Sequence, residues 1–421
     1  MVASHYDWEK GGVLPKLLRH SAVKHTLLYD YLVEYFLTLV SSPHQDHIKL
    51  TIVDGFCGGG KYTNEENNEV PGSPIVILKA IKEAESRIVM TQQRKKPLVL
   101  DVELVCIDTD KRALVHLKWV LEQEGYGDLL RNETIKLLDG TFLSHSENVI
   151  KRCKERSKFS GKAIFILDQY GYSEVPSSAL RSIFNELAKA EVILTFNVDS
   201  LITYLNEQNL CNFEAKTGFD GAITASELDD LQKNPNWRRV IQSRLYKSIT
   251  QDTGAKFFTP FFVRPQKGHG DFWLLHLSQH SKARDVMTNT HWKHNNHFIH
   301  YGDAGLDMFG VGYAAVIDKH ILTQDSFEFD NIAASRSHSL MLKEIPKHLE
   351  KNRDGISFNK FFELNCNNTP ATREMIEKTI LNLMQESEVQ ILNPDQKISK
   401  VRTAINDSHI IKLAPQRKLF L

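Results

Sequence analysis

The sequence predicts an α/β protein with a Rossmann-like, doubly wound, mostly parallel sheet that ends in an antiparallel hairpin. Three observations carry this. Five short apolar runs alternate with amphipathic helical segments between residues 50 and 196. A glycine-rich turn follows the first run, and two β-like runs follow the last. Alternating strands and crossover helices build a parallel sheet covered on both faces, which explains why the strands are continuously apolar.

The elements are legible in order. Residues 12–40 carry Leu14, Leu17, Leu18, Val23, Leu27, Leu28, Tyr31, Leu32, Tyr35 and Phe36 at roughly helical spacing, which predicts one or two helices. The strand candidates are Leu50–Val53, Val102–Ile107, Thr134–Leu138, Ala163–Leu167 and Val192–Phe196. Between them lie helix candidates Ile75–Arg87, Lys111–Glu124, Ser144–Arg156 and Ser177–Lys189. Residues 205–250 are polar and include a predicted helix at Trp237–Ser248. Phe257–Val263 and Phe272–Leu277 form the hairpin around an Arg264–Gly270 turn. Residues 281–335 show no clear pattern. Helices at Phe358–Leu364 and Thr372–Leu383, the second capped by Thr372, precede short strands at Val389–Leu392, Ile410–Leu413 and Lys418–Leu421. Helices followed by a small hairpin suggest a winged-helix module. The expected division is an N-terminal helical extension over 1–48 and a Rossmann-like domain over 49–300 with an insertion at about 205–250. A linker over 301–335 and a winged-helix-like module over 336–421 complete it.

Bulk properties narrow the class. The chain has 421 residues, 41% hydrophobic and 25% charged, and its 52 basic and 52 acidic residues balance. That excludes a protein coated in positive charge, though not a local basic groove. The five scattered cysteines contain no C-x-x-C pair, which predicts free thiols and a reducing, cytoplasmic setting. No signal-like apolar core opens the sequence. No apolar run approaches the roughly 18 residues that span a bilayer, so no membrane role is expected.

The chemistry should sit at the carboxyl ends of the strands. Asp54-Gly55-Phe56-Cys57-Gly58-Gly59-Gly60 follows the first. Glycines there let backbone approach a ligand, and a strand-end carboxylate accepts from a ligand amine or hydroxyl. The spacing is neither a Walker A loop nor G-x-G-x-x-G. Asp108 ends the second strand, suited to ribose hydroxyls, and Asp139 the third, suited to an adenine amine. Asp168-Gln169-Tyr170-Gly171-Tyr172 ends the fourth. Four acidic residues in register with one glycine loop predict a nucleotide-like cofactor. Asp110 reads instead as a helix cap.

A D-x-F-x-G-x-G loop resembles that of S-adenosylmethionine (SAM) methyltransferases, and the terminal hairpin fits their Rossmann variant. The implied cofactor is SAM, held by Asp54, Phe56, Gly58, Gly60, Asp108, Thr109, Asp139 and Gly140. Asp168 and Tyr170 would receive the acceptor, as in the D/N-P-P-Y/F motif of amino-group methyltransferases, although the double proline is absent. Asp54-x-Phe56-Cys57-Gly58-x-Gly60, Gly72-Ser73-Pro74, Ile107-Asp108 and Asp168-x-Tyr170-Gly171, with the Trp8…Lys10 entry, resemble the three-Cys-motif partner (TcmP) family over about residues 5–300. Gln169 stands where that family usually has proline. The resemblance implies a partner protein with a three-cysteine, radical-SAM-like motif, a mobile-element or defence-related bacterial context, and an RNA or DNA substrate. Two readings result: a SAM-dependent methyltransferase acting on a nucleic-acid amino group, or a non-catalytic subunit of the same fold that binds SAM or nucleic acid. A nicotinamide dehydrogenase is disfavoured by the glycine pattern.

Other features read blandly. His291, His294, His297 and His300 lie three residues apart but lack H-E-x-x-H, so a histidine-rich helix end or loop is expected and no metal site is assigned. Gln92–Lys96 reads as a solvated basic loop, and Arg284–Asp285 as a surface helix pair.

Overall fold

The computed structural model describes residues 6–9, 11–40, 45–92, 94, 97–157, 161–169, 173–197, 215, 217, 218, 248, 251–263, 272–294, 298–300, 304–308, 327–399, 401 and 403–415. Tyr170, the Trp237–Ser248 helix save Ser248, the Arg264–Gly270 turn, Cys211 and the Lys418–Leu421 strand lie outside them. The chain divides into two compact units, Met1–Trp237 with Ile241–Thr290, and Arg238–Val240 with His291–Leu421.

The first unit opens with α1 (Arg19–Leu39) and β1 (His47–Asp54). A small hairpin, β2 (Lys61–Thr63) and β3 (Glu69–Pro71), precedes α2 (Ser73–Thr91). Then come β4 (Val99–Asp108), α3 (Lys111–Gln123), α4 (Gly127–Arg131), β5 (Ile135–Asp139), α5 (Phe142–Arg156), β6 (Lys162–Asp168), α6 (Ser177–Glu186) and β7 (Lys189–Asn197). The unit closes with β8 (Phe257–Val263), β9 (Phe272–Ser278) and most of α7 (Ser281–Lys293). Its strands lie in the order β8-β9-β7-β6-β1-β4-β5. β7, β6, β1, β4 and β5 are parallel, while β9 runs antiparallel to both β7 and β8. This is the predicted Rossmann-like, mostly parallel sheet with a terminal antiparallel hairpin. The order reverses beside β1, the switch point where such sheets hold ligands.

The parallel strands form because their Val, Ile and Leu side chains are buried on both faces. Ile52, Val53, Leu104, Ile164 and Leu194 are all at most 1% exposed. Glu103, 2% exposed within β4, is compensated by the Arg152 guanidinium of α5. The N-caps follow chemistry: Asp110 accepts from the Arg112 amide, as expected, and Thr141 from the Ser144 amide.

Several predicted boundaries are corrected. β1 starts at His47 and β4 at Val99, because both begin with mixed polar residues that mask the strand. α6 ends at Glu186, and Lys189 opens β7 instead of closing the helix. The β2–β3 hairpin was not foreseen, since three-residue strands carry no period. Of α7, only the Arg284–Asp285 helical pair was foreseen, since its polar residues hide its extent. Arg284 is fully buried in α7 and is not a surface residue.

The second unit holds α8 (Asn331–Glu350), β12 (Ile356–Ser357), α9 (Phe358–Asn365), a 3₁₀ turn at Cys366–Asn368, α10 (Arg373–Gln385), β13 (Val389–Leu392) and β14 (Ile410–Leu413). It also holds the antiparallel pair β10 (Phe298–His300) and β11 (Phe327–Glu328). β12, β14 and β13 form an antiparallel sheet in that order, beside the helices, as a winged helix requires. Thr372 caps α10 as predicted, accepting from the Met375 amide at 3.2 Å. α8 begins at Asn331, inside the segment read as a linker. Asp330 caps it, and its internal Pro346 obscured it in the sequence. His291 is buried and stacks on Phe329, and no group of three metal-ligating side chains occurs among the described residues. No described helix is long and apolar enough to cross a membrane.

Candidate functional site

The carboxyl edge of the parallel strands brings together the four predicted aspartates. Asp54 ends β1, and its register partners are Cys106 of β4 and Ile166 of β6. Asp108 and Asp139 are paired across β4 and β5. Asp168 ends β6.

The loop after β1 is pinned on both sides. The Gly55 amide donates to the Ile166 carbonyl at 2.9 Å, and the Cys57 amide to the Ile107 carbonyl at 3.0 Å. Gly58 and Gly60 adopt φ of 58° and 81°, the left-handed region that glycine enters without strain. The close neighbours of these glycines are the chain's own side chains. A Cβ on Gly58 would meet the Tyr62 hydroxyl, one on Gly59 would overlap the Trp8 indole, and one on Gly60 would meet Leu117. Trp8 is 5% exposed and packs edge-to-face on Tyr62 at 5.1 Å. His116 contacts it and pairs its Nδ1 with the Gly59 carbonyl at 2.6 Å. The N-terminal segment thus covers one side of the loop.

Asp54 is completely buried. Its Oδ1 accepts from the Phe56 amide at 3.3 Å, while Oδ2 has no hydrogen-bond partner among the described residues. Burial pushes its carboxyl up to about 7, against the pull of the Ser73 hydroxyl and the Phe56 amide; the nearby Asp168 and Asp108 add to the rise. Asp108 is half-buried, and accepts from the Gly58 amide at 2.8 Å and the Asp110 amide at 2.9 Å. Burial raises it, while those amides and that of Thr109 pull it back. Asp139 is exposed and meets the Lys111 ammonium at 3.1 Å. Thr109 is exposed and Phe56 half-buried. The Gly140 amide donates to the Asp108 carbonyl at 3.0 Å.

Asp168 departs from expectation in its partner. Lys24 of α1 reaches both carboxylate oxygens, at 2.6 and 2.7 Å, and is itself only 9% exposed. Burial alone would raise the Asp168 carboxyl. The Lys24 ammonium outweighs it, aided by the Thr195 hydroxyl and His25, and holds the group below the usual carboxylate range. Gln169, which stands where a proline was expected, accepts on its Oε1 from the Glu174 and Val175 amides at 3.0 and 3.2 Å. The sequence reading missed Lys24. Its signal was a charge on the same helical stripe as Leu27, Leu28 and Tyr31. His25, next to it, is held down at about 4, chiefly by burial. Its ring borders both the narrow space over Asp168 and a cavity of about 520 Å³ bounded by Leu17, Tyr29, Val70 and Val76.

A family model described as a GMT-like wHTH domain matches residues 312–396. Among solved structures, a putative SAM-dependent methyltransferase from Methanococcus maripaludis is 11% identical, covering 62% of this chain and 90% of its own, with a TM-score of 0.27. A putative rRNA-methylase from Clostridium thermocellum is 11% identical over 62% and 98%, with a TM-score of 0.29. A geranyl diphosphate C-methyltransferase from Streptomyces coelicolor A3(2), solved with S-adenosyl-L-homocysteine, is 8% identical over 62% and 76%, with a TM-score of 0.27. No curated protein matches the chain.

Proposed function

We propose that the first unit is a SAM-dependent methyltransferase whose acceptor is an amino group on nucleic acid, and that the winged helix helps bind that substrate. The observation that carries the cofactor reading is Asp54: a fully buried carboxylate with one oxygen unpartnered, at the switch point of the sheet and beside a glycine loop. An orphaned buried acceptor calls for a donor, and the amino group of SAM's methionine end is one. Asp108 would take the ribose hydroxyls on its remaining lone pairs, and Asp139 the adenine amine. Phe56, Gly58, Gly60, Thr109 and Gly140 would line the same edge. SAM would supply a methyl group activated on a sulfonium.

The chain's own part in transfer would be positioning and charge. Lys24 keeps Asp168 ionised, so that Asp168 remains an acceptor for the protons of an incoming amine. Tyr170 would stack on the acceptor ring. The motif resemblance to TcmP proteins supports a three-cysteine partner protein and a bacterial defence setting for this methyltransferase.

One observation favours the second reading, a subunit that binds SAM or nucleic acid without transferring methyl. Both oxygens of Asp168 are already engaged by Lys24. Calorimetric titration with SAM separates the cases when paired with Asp108→Ala and a labelled-methyl assay on RNA, DNA and protein pools. Asp108→Ala is expected to weaken SAM binding by about tenfold or more, as loss of charge-assisted hydrogen bonds does. Unchanged affinity in the folded variant would rule out the cofactor assignment. Binding without methyl transfer would select the second reading.

A further inference from the structure

α1 spans the sheet across β6 and β7. Lys24 meets Asp168 at their carboxyl edge, and Tyr31 sits mid-strand with Glu191 and His276. Tyr35, Thr38 and Leu39 reach the opposite, amino edge, where they border a second cavity of about 380 Å³. Neither the glycine loop nor any of the four aspartates takes part in it.

Lysines dominate the charge of this cavity. Lys162 opens β6 and Lys189 opens β7, and the two are register partners in the parallel ladder. Side chains of register partners leave the same face of a sheet, so two ammonium groups stand next to each other. Lys282 joins them from the first turn of α7. None of the three has a side-chain hydrogen bond or ion pair among the described residues. The only carboxylate among the lining residues, Glu191, is already held by the Tyr31 hydroxyl and by His276 Nε2 at 2.9 Å. Like charges side by side on neighbouring strands destabilise a sheet. The strain registers at Lys162, whose ammonium is held below its ordinary value by burial and then by Lys189. A fold keeps such an arrangement when something else gains from it.

We propose that this cavity binds a phosphate-bearing ligand of nucleotide size. The phosphate would sit among Lys162, Lys189 and Lys282, and an apolar ring would lie against Tyr35, Leu39 and Val286. The volume falls in the range of small-ligand sites, and an apolar wall with a few convergent polar groups is their usual make-up. Lysines recognise phosphate as point charges. The same chemistry is offered by a free nucleotide and by one nucleotide of a strand.

The test titrates the full chain with inorganic tripolyphosphate, adenosine diphosphate and a short oligodeoxythymidine at low salt. The native protein is compared with Lys162→Gln, Lys189→Gln and the double variant. At least one probe is expected to bind saturably, and each substitution to weaken it about tenfold. The ligand-free Lys189→Gln protein is expected to melt no lower than the native one, because a repulsion is removed. Tight binding of adenosine diphosphate assigns the site to free nucleotides, and tighter binding of the oligonucleotide assigns it to a nucleic-acid backbone. Binding that survives Asp108→Ala separates this site from the carboxyl edge. Absence of saturable binding by all three probes overturns the proposal, as does binding that the double variant retains in full.

Discussion

Asp54→Asn is expected to stabilise the protein at pH 8 by about 2 kcal/mol and to destabilise it by about 1–2 kcal/mol near pH 4. The buried carboxyl has a folded value of about 7 against an ordinary 3.8. Below pH 3.8 the group is protonated whether the chain is folded or not, so it costs nothing. Above pH 7 it is ionised in both states, and the folded state bears the whole cost of a buried charge. Between those limits the unfolded chain releases the proton first, so stability falls as pH rises. The gap of about three pH units corresponds to roughly 4 kcal/mol at 1.36 kcal/mol each. An amide removes the charge but leaves an unsatisfied polar atom, which costs about 1–3 kcal/mol at every pH; it halves the gain at pH 8 and leaves a net loss near pH 4. Urea unfolding of both proteins at pH 4 and pH 8 checks this, and equal differences at the two pH values would refute it. A positively charged group seated on Oδ2 would offset the same cost. The variant should therefore lose SAM affinity while it gains stability.

Asp168→Ala acts in the opposite direction. Its partner Lys24 is only 9% exposed, so the substitution strands an ammonium in the interior. Breaking a buried pair from one side costs about 3–5 kcal/mol. Because the Asp168 side chain is one-third exposed, about 2–3 kcal/mol is the expected loss. Lys24→Met combined with Asp168→Leu should cost less than the sum of the single changes, since neither charge is then left alone. The pH dependence follows from the depressed Asp168 carboxyl. Its stabilisation is full above the ordinary carboxylate value and is lost as pH falls through the lower folded one. Additive losses in urea unfolding would mean that the pair contributes no coupling.

The sequence revealed what depends on neighbours along the chain. Val, Ile and Leu runs mark β1, β4, β6 and β7 because a strand covered on both faces needs no polar side. Asp54, Asp108, Asp139 and Asp168 were found because each immediately follows such a run. What reaches them from elsewhere was not legible. Lys24 lies 144 residues before Asp168, and only the packing of α1 brings them together. Trp8 and Tyr62 meet on the glycine loop for the same reason. Gln169 looked like the loss of a proline, and its side chain accepts from the backbone amides of Glu174 and Val175, a contact no local pattern announces. Arg284 looked exposed because charge usually is, yet it is fully buried.

The buried thiols give the glycine loop a clock. Cys57 lies inside it, pushed well above the ordinary thiol range by burial, and Cys106 lies beside it at the end of β4. Only an exposed thiolate reacts with an alkylating reagent. In the native protein, modification of Cys57 must wait for the loop to swing away from Ile107 and Ile166. Followed at the Cys57 peptide alone, the rate of alkylation at saturating reagent equals the rate of that opening. Any molecule that seats against the loop will lengthen the wait, whatever its chemical identity, so occupancy can be timed before a substrate is known.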